Sequence, residues 1–215
     1  MEGDKFMRIL FLTIALINCA FSQGMYLTNE NGLSAGMFYG RYDTDNKYGF
    51  TATYSIKGYF DFTYTRSSIL AEERTDNFQN EYFLRGYLLK ENKIFISGAF
   101  GYIYQKVKTE LWKNFTLQET NKGVAYEAGI HFTPGDLKKN KVVVSVFYRY
   151  FNLTEELRTP TITNSNLKPN RSLIFDIAVI YFIGQIGIVA GPRVILDFDY
   201  KNLYAGLNLS FIISH

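Results

Sequence analysis

The sequence predicts an all-β fold, a transmembrane antiparallel β-barrel of ten strands, with eight strands as the alternative count. Three observations carry this. Apolar and polar residues alternate with the strand period over segments of roughly nine to thirteen residues. Short connections and longer polar ones follow one another in turn, as they do when a chain shuttles across a membrane. The amino terminus has the pattern of an export signal.

That signal comes first in chain order. Lys5 and Arg8 precede the apolar run 9–16, which continues to Ala20, and Ala20-Phe21-Ser22 places small residues for a cut before Gln23. Met7 offers a second start. The run is too short to span a bilayer comfortably as an uncleaved helix. Leu16-Ile17-Asn18-Cys19 leaves a lipid-modified cysteine open as another reading. Cleavage after Ser22 divides the chain into a signal peptide, 1–22, and one barrel domain, 23–215, and removes Cys19, the single cysteine. A disulfide scaffold and a cysteine-built metal site are thereby excluded.

The strands follow at 33–41, 48–56, 58–68, 81–90, 93–108, 123–133, 141–153, 171–182, 185–197 and 203–213. The clearest is 123–133, with Val124, Tyr126, Ala128, Ile130 and Phe132 on one face and Ala125, Glu127, Gly129, His131 and Thr133 on the other. In 203–213, Leu203, Ala205, Leu207, Leu209, Phe211 and Ile213 oppose Tyr204, Gly206, Asn208, Ser210 and Ile212. A slip of one residue would exchange the two faces, so the pattern sets orientation as well as strand identity. Gly191-Pro192 predicts a bulge or break in the ninth strand, because proline lacks a ladder donor.

Alternation alone does not distinguish a soluble barrel from a membrane one. The apolar face decides it through its rings: Tyr39, Tyr48, Tyr59, Tyr82, Tyr104, Tyr126, Tyr148, Tyr150 and Tyr181 lie near strand ends, where membrane proteins collect amphipathic aromatics. Tyr, Phe and Trp make up 17% of the chain, which such a belt accounts for. The opposite face is small or polar. It carries isolated charges at Asp61, Arg85, Glu127, Arg149, Asp176, Arg193 and Asp197, suited to a narrow interior. The net charge of +3 comes from scattered residues, so no nucleic-acid surface is expected.

This plan resembles the small outer-membrane β-barrel proteins of Gram-negative bacteria. The resemblance covers nearly all of 23–215 and is one of pattern. It implies residence in the outer membrane, contact with outer-membrane lipid, and insertion by barrel-assembly and periplasmic chaperone machinery. Such barrels end in a strand with a terminal aromatic. Here Phe211 lies close to the end, and the chain closes on Ile212-Ile213-Ser214-His215.

Chemistry has few candidates. Glu127 and His131 share a face about 13 Å apart, too far to touch, and each is expected to pair across to the next strand, for instance with Arg149 or Ser145. Outer-membrane hydrolases that modify lipid or peptide use histidines at the outer rim, whereas His131 lies at the short-turn end of its strand. The charged set, with His131, is expected to form a luminal polar network, read either as a structural plug or as a narrow porin-like path. No cofactor or metal-ligand pattern appears, so none is expected. The remaining place for function is the connections 69–80, 109–122 and 154–170, read as long external loops, with Trp112 a contact or belt residue. The primary expectation is a non-enzymatic surface protein with a structural, adhesive or interaction role. A narrow channel and a hydrolase are the alternatives.

Overall fold

The computed structural model describes residues 30–42, 45–70, 74–91, 93–112, 115–133, 140–159, 163–199 and 201–215. The signal segment 1–22 lies outside them, as do the side chains of Glu72, Glu73, Arg74, Asp76 and Trp112. Ten strands form one closed antiparallel barrel: β1 (Gly32–Tyr42), β2 (Asp45–Ile56), β3 (Phe60–Leu70), β4 (Arg74–Glu91), β5 (Ile94–Trp112), β6 (Phe115–Phe132), β7 (Asn140–Arg158), β8 (Thr163–Ile183), β9 (Ile186–Asp197) and β10 (Asn202–Ser214). Each strand pairs with its sequence neighbours, and β1 closes the ring on β10 from Gly32 opposite Ser214 to Tyr42 opposite Tyr204. The count is ten, not eight. Closure leaves no strand edge unpaired, the condition for a sheet to sit in lipid.

The lower end of the barrel holds Asn31 and His215, close to the two ends of the described residues, and the tight turns. Lys57 and Gly58 take φ of 48° and 67° between Ile56 and Tyr59, whose N–H donates to the Ile56 carbonyl at 3.0 Å. Two positive φ values match the right-handed twist of the flanking strands. Gly184 does the same work between β8 and β9 with φ of 62°.

The upper end differs from the sequence expectation. The segments 69–80, 109–122 and 154–170 are not loops. Most of their residues continue β3 to β8 as paired strands, so that Glu119 stands opposite both Val107 and Leu157, and Glu155 opposite Asn166. β4 to β8 consequently run 18 to 21 residues, against 11 to 13 for the other five. One side of the barrel is a raised wall.

Gly191-Pro192 makes no bulge. β9 stays in one register with β10, Gly191 opposite Asn208 and Pro192 opposite Leu207. Toward β8 the pairing lapses between Asp176–Arg193 and Val179–Ala190 but resumes in the same register. The lost proline donor is therefore absorbed as a gap in one ladder, and Gly191 lets the strands stay close: a Cβ there would lie 1.8 Å from the Ile177 carbonyl oxygen.

Side-chain parity follows the predicted faces. Leu33, Phe50, Phe62, Tyr82, Phe100, Tyr126, Tyr148, Phe175, Tyr181 and Phe211 are all exposed on the outer surface. Outward apolar series about nine to eleven residues long match one membrane crossing by a tilted strand. At their upper edge these series stop at a cation: Arg41 in β1, Arg66 in β3, Lys106 in β5, Lys122 in β6 and Arg171 in β8.

Candidate functional site

The lumen is built in three layers. In the lowest, every strand contributes an inward residue no more than 6% exposed: Ser34, Ser55, Asp61, Tyr87, Phe95, His131, Val143, Ile180, Val189 and Ile212. An open path at this level would expose them to water, so the disc is sealed. Tyr87, Phe95, Val143, Ala178, Ile180, Val189 and Ile212 form one apolar cluster within it. The sequence reading, which took the inner face as small or polar, missed this apolar packing.

Two hydrogen-bonded polar clusters are enclosed in the disc, one centred on Asp61 and one on His131. Ser55 Oγ donates to Asp61 Oδ1 at 2.6 Å and Tyr87 Oη donates to Oδ2 at 2.9 Å. His131 lies between two hydroxyls, Ser97 Oγ at 2.8 Å from Nε2 and Ser145 Oγ at 2.9 Å from Nδ1. Phe95 stacks on its ring at 4.9 Å, with Phe147 and Tyr87 at 5.1 and 5.9 Å. With both nitrogens engaged and no exposed surface, this histidine does not reach a substrate. Burying a polar group is tolerated where its partners are supplied, and here four strands, β2, β4, β5 and β7, supply them.

Above the disc lies an ionic layer. Glu127 bridges two guanidiniums: Arg85 ion-pairs with one carboxylate oxygen, and Arg149 Nε donates to the other at 2.8 Å. Arg149 Nη1 also reaches Glu81 Oε2 at 3.1 Å. On the opposite wall Arg193 makes a two-pronged pair with Asp176, its Nε at 2.6 Å from Oδ1. Aromatic faces cover the arginines: Phe147 lies 4.7 Å from the Arg85 Cζ and Phe83 4.8 Å from that of Arg149. Such faces favour a desolvated guanidinium. A cavity of about 70 Å³ remains between the two walls.

The structure thus brings Arg85, Glu127 and Arg149 together, and pairs Arg193 with Asp176, its register partner on the adjacent strand. It separates Asp61 and His131 from them, in the disc below. Asp197 sits higher, where Asn170 Nδ2 donates to it at 3.0 Å. Glu81 and Lys47 belong to the interior as well and were not singled out from sequence. Glu81 is four residues from Arg85 on one strand, so parity alone would have placed it on the inner face.

The third layer is a cup of about 280 Å³ that opens at the upper end. Lys47, Gln79, Gln105, Glu119, Asn121, Phe151, Lys168, Asn170 and Tyr204 are among its lining residues. Asn121 donates through Nδ2 to Glu119 at 2.7 Å and to Gln105 at 3.2 Å. The Oδ1 atoms of Asn121 and Asn170 have no partner among the described residues. Among those residues no group of His, Cys, Asp or Glu is placed to hold a metal ion.

No protein-family model matches the sequence, and no curated protein matches it. Among solved structures, the chain is similar in fold to the translocator domain of autotransporter NalP from Neisseria meningitidis. The two share 8% sequence identity and a TM-score of 0.53 over 99% of this chain and 95% of that one. At that identity the likeness is one of architecture.

Proposed function

We propose that this chain is an integral outer-membrane protein that binds at the cell surface and does not conduct. The observation that carries the reading is the contrast between the two ends of the lumen. The lower disc excludes water across all ten strands, whereas the upper layer opens into a polar cup flanked by a wall of paired hairpins. A pore needs continuity, and a recognition surface needs only a rigid base and an accessible rim. An apolar, ring-rich outer surface on a closed sheet supports placement in a membrane, and the fold likeness to a translocator barrel supports the outer one. The channel reading has no comparable support, and the hydrolase reading loses its histidine to the sealed disc.

The test combines two measurements on the full chain. Refolded protein in a planar bilayer is expected to remain electrically silent while running as a compact, heat-modifiable band. Cells displaying it are expected to adhere to immobilised matrix proteins or to one another, and to lose that adherence when the β5–β6 and β7–β8 hairpins are trimmed to the height of β1. Stepwise conductance from folded protein overturns the reading, as does adherence indifferent to both hairpins.

A further inference from the structure

The outer surface carries a feature that a membrane belt alone does not require. Over β2 to β5 the wall is indented by a groove of about 510 Å³, lined by Ala52, Tyr54, Phe62, Tyr82, Phe100 and Tyr102 among others. Its depth has a local cause. Ala52 stands opposite Ala35 on one side and Tyr64 on the other, so two small side chains meet where the neighbouring rows carry rings. The groove is almost wholly apolar and opens sideways, away from the lumen.

Along its upper margin, from β3 to β6, three of the cations that end the outward apolar series stand within two adjacent rows. The row Tyr64–Tyr82–Tyr102 tops the groove, and the next row up is Arg66–Asn80–Tyr104–Lys122. One row higher, Lys106 lies opposite Phe78. The Phe78 ring joins them into one platform, with the Arg66 Cζ 4.9 Å from its centroid and the Tyr104 ring 6.0 Å away. Arg66 and Lys122 are exposed. The carboxylates of the same strands at this height, Glu81 and Glu119, point into the lumen. Glu156, outward on β7, is held by Arg158 at 2.6 Å. Lys108 faces Asp76 in the register and is left out of the set.

We propose that this sector of the wall binds one anionic, phosphate-bearing membrane lipid, an acyl chain lying in the groove and the phosphate held by Arg66, Lys106 and Lys122. The site rests on the membrane placement proposed above. Three cations without a described carboxylate among them complement a phosphate at headgroup height, and basic residues there attract anionic lipid with an energy that accumulates per charge. The aromatic floor beneath gives the chain a shaped seat and sets this sector apart from β8 to β10. There Arg171 is already paired with Asp199 at 2.8 Å.

The experiment uses the full chain folded in neutral detergent and native mass spectrometry. Palmitoyl-oleoyl phosphatidylglycerol is titrated against phosphatidylcholine with the same chains. The expected result is retention of one phosphatidylglycerol and loss of phosphatidylcholine. Joint Arg66→Gln, Lys106→Gln and Lys122→Gln substitution should weaken the retained lipid by roughly a hundredfold. Ala52→Phe, which fills the groove and leaves the cations intact, should weaken it separately. Equal retention of both lipids, an unaffected triple variant or an unaffected Ala52→Phe overturns the site. Folding is read beforehand as a heat-modifiable band in phosphatidylcholine vesicles. A chain that does not fold there overturns the membrane placement and the site together, whereas a folded chain without lipid preference overturns the site alone.

Discussion

Glu127→Gln tests whether the ionic layer stabilises the barrel as a unit. The glutamate side chain is 2% exposed and its two arginine partners are 11% and 14% exposed, so solvent does little to screen the loss. Removing one member of a buried pair costs about 3–5 kcal/mol, because the remaining charge stays desolvated. Several features here place the value at the low end. Arg149 keeps Glu81, both guanidiniums keep their aromatic faces, and the carboxamide oxygen still accepts one hydrogen bond. We expect about 3 kcal/mol. A second change, Arg85→Met in the same chain, removes the stranded cation and should restore about 2 kcal/mol of that, since an apolar replacement of a buried pair is often neutral or better. The assay is a guanidinium chloride titration of protein folded into phosphatidylcholine vesicles, read by mobility of unheated samples on a gel. A loss below about 1 kcal/mol for Glu127→Gln refutes the reasoning, and so does a double variant less stable than the single one.

Three further outcomes are expected. Gly191→Ala should destabilise by about 3 kcal/mol, the upper end of overpacking costs, because its Cβ meets the Ile177 carbonyl oxygen. Gly98→Ala, whose Cβ meets nothing within 4 Å, should stay within about 0.5 kcal/mol in the same titration. At the upper turn, the hydrogen bond and charge of Arg171 hold the Asp199 carboxyl below its ordinary range. A depressed carboxylate contributes fully above its ordinary pKa and is lost as the pH falls through the lowered one. The protection factor of the Arg171 amide, which donates to Asp199 Oδ2 at 2.6 Å, should therefore fall on acidification and become flat in Asp199→Asn.

Strand number, order and facing were legible because a closed barrel with an apolar outer face and a packed, partly charged interior imposes two different chemistries on alternate residues. Where that contrast fades, so did the reading. In the raised hairpins both faces meet water, so 115–122 and 163–170 carry no sustained apolar alternation, Phe115, Leu117 and Leu167 standing among polar residues, and only backbone pairing shows them to be strands. In the disc the reverse holds. Val143, Phe147, Ala178 and Ile180 face inward from strands whose outer residues Val146, Ile177 and Val179 are also apolar, which leaves no alternation to detect. The cross-strand partners of Glu127 and His131 could be named in advance because antiparallel register fixes who stands opposite whom. The Arg85–Glu127 pair spans two intervening ladder steps of the ring, β4 to β5 to β6, and only the curvature of the closed barrel reveals it.

The seam between β1 and β10 has a consequence for how the molecule comes into being. Gly32 meets Ser214, and the Asn31 and His215 backbones exchange hydrogen bonds at 3.1 and 3.0 Å, so the last rungs to close are those most distant along the chain. Every shorter piece of this polypeptide presents two raw margins, which hydrocarbon penalises heavily. Growth by successive stable halves is therefore ruled out. The entropic toll of bringing the ends together rises only slowly with length, yet its reward arrives all at once, when the final strand docks. Mutations along the seam should accordingly slow acquisition of the native form more than they hasten its loss, if that docking is the crest of the barrier.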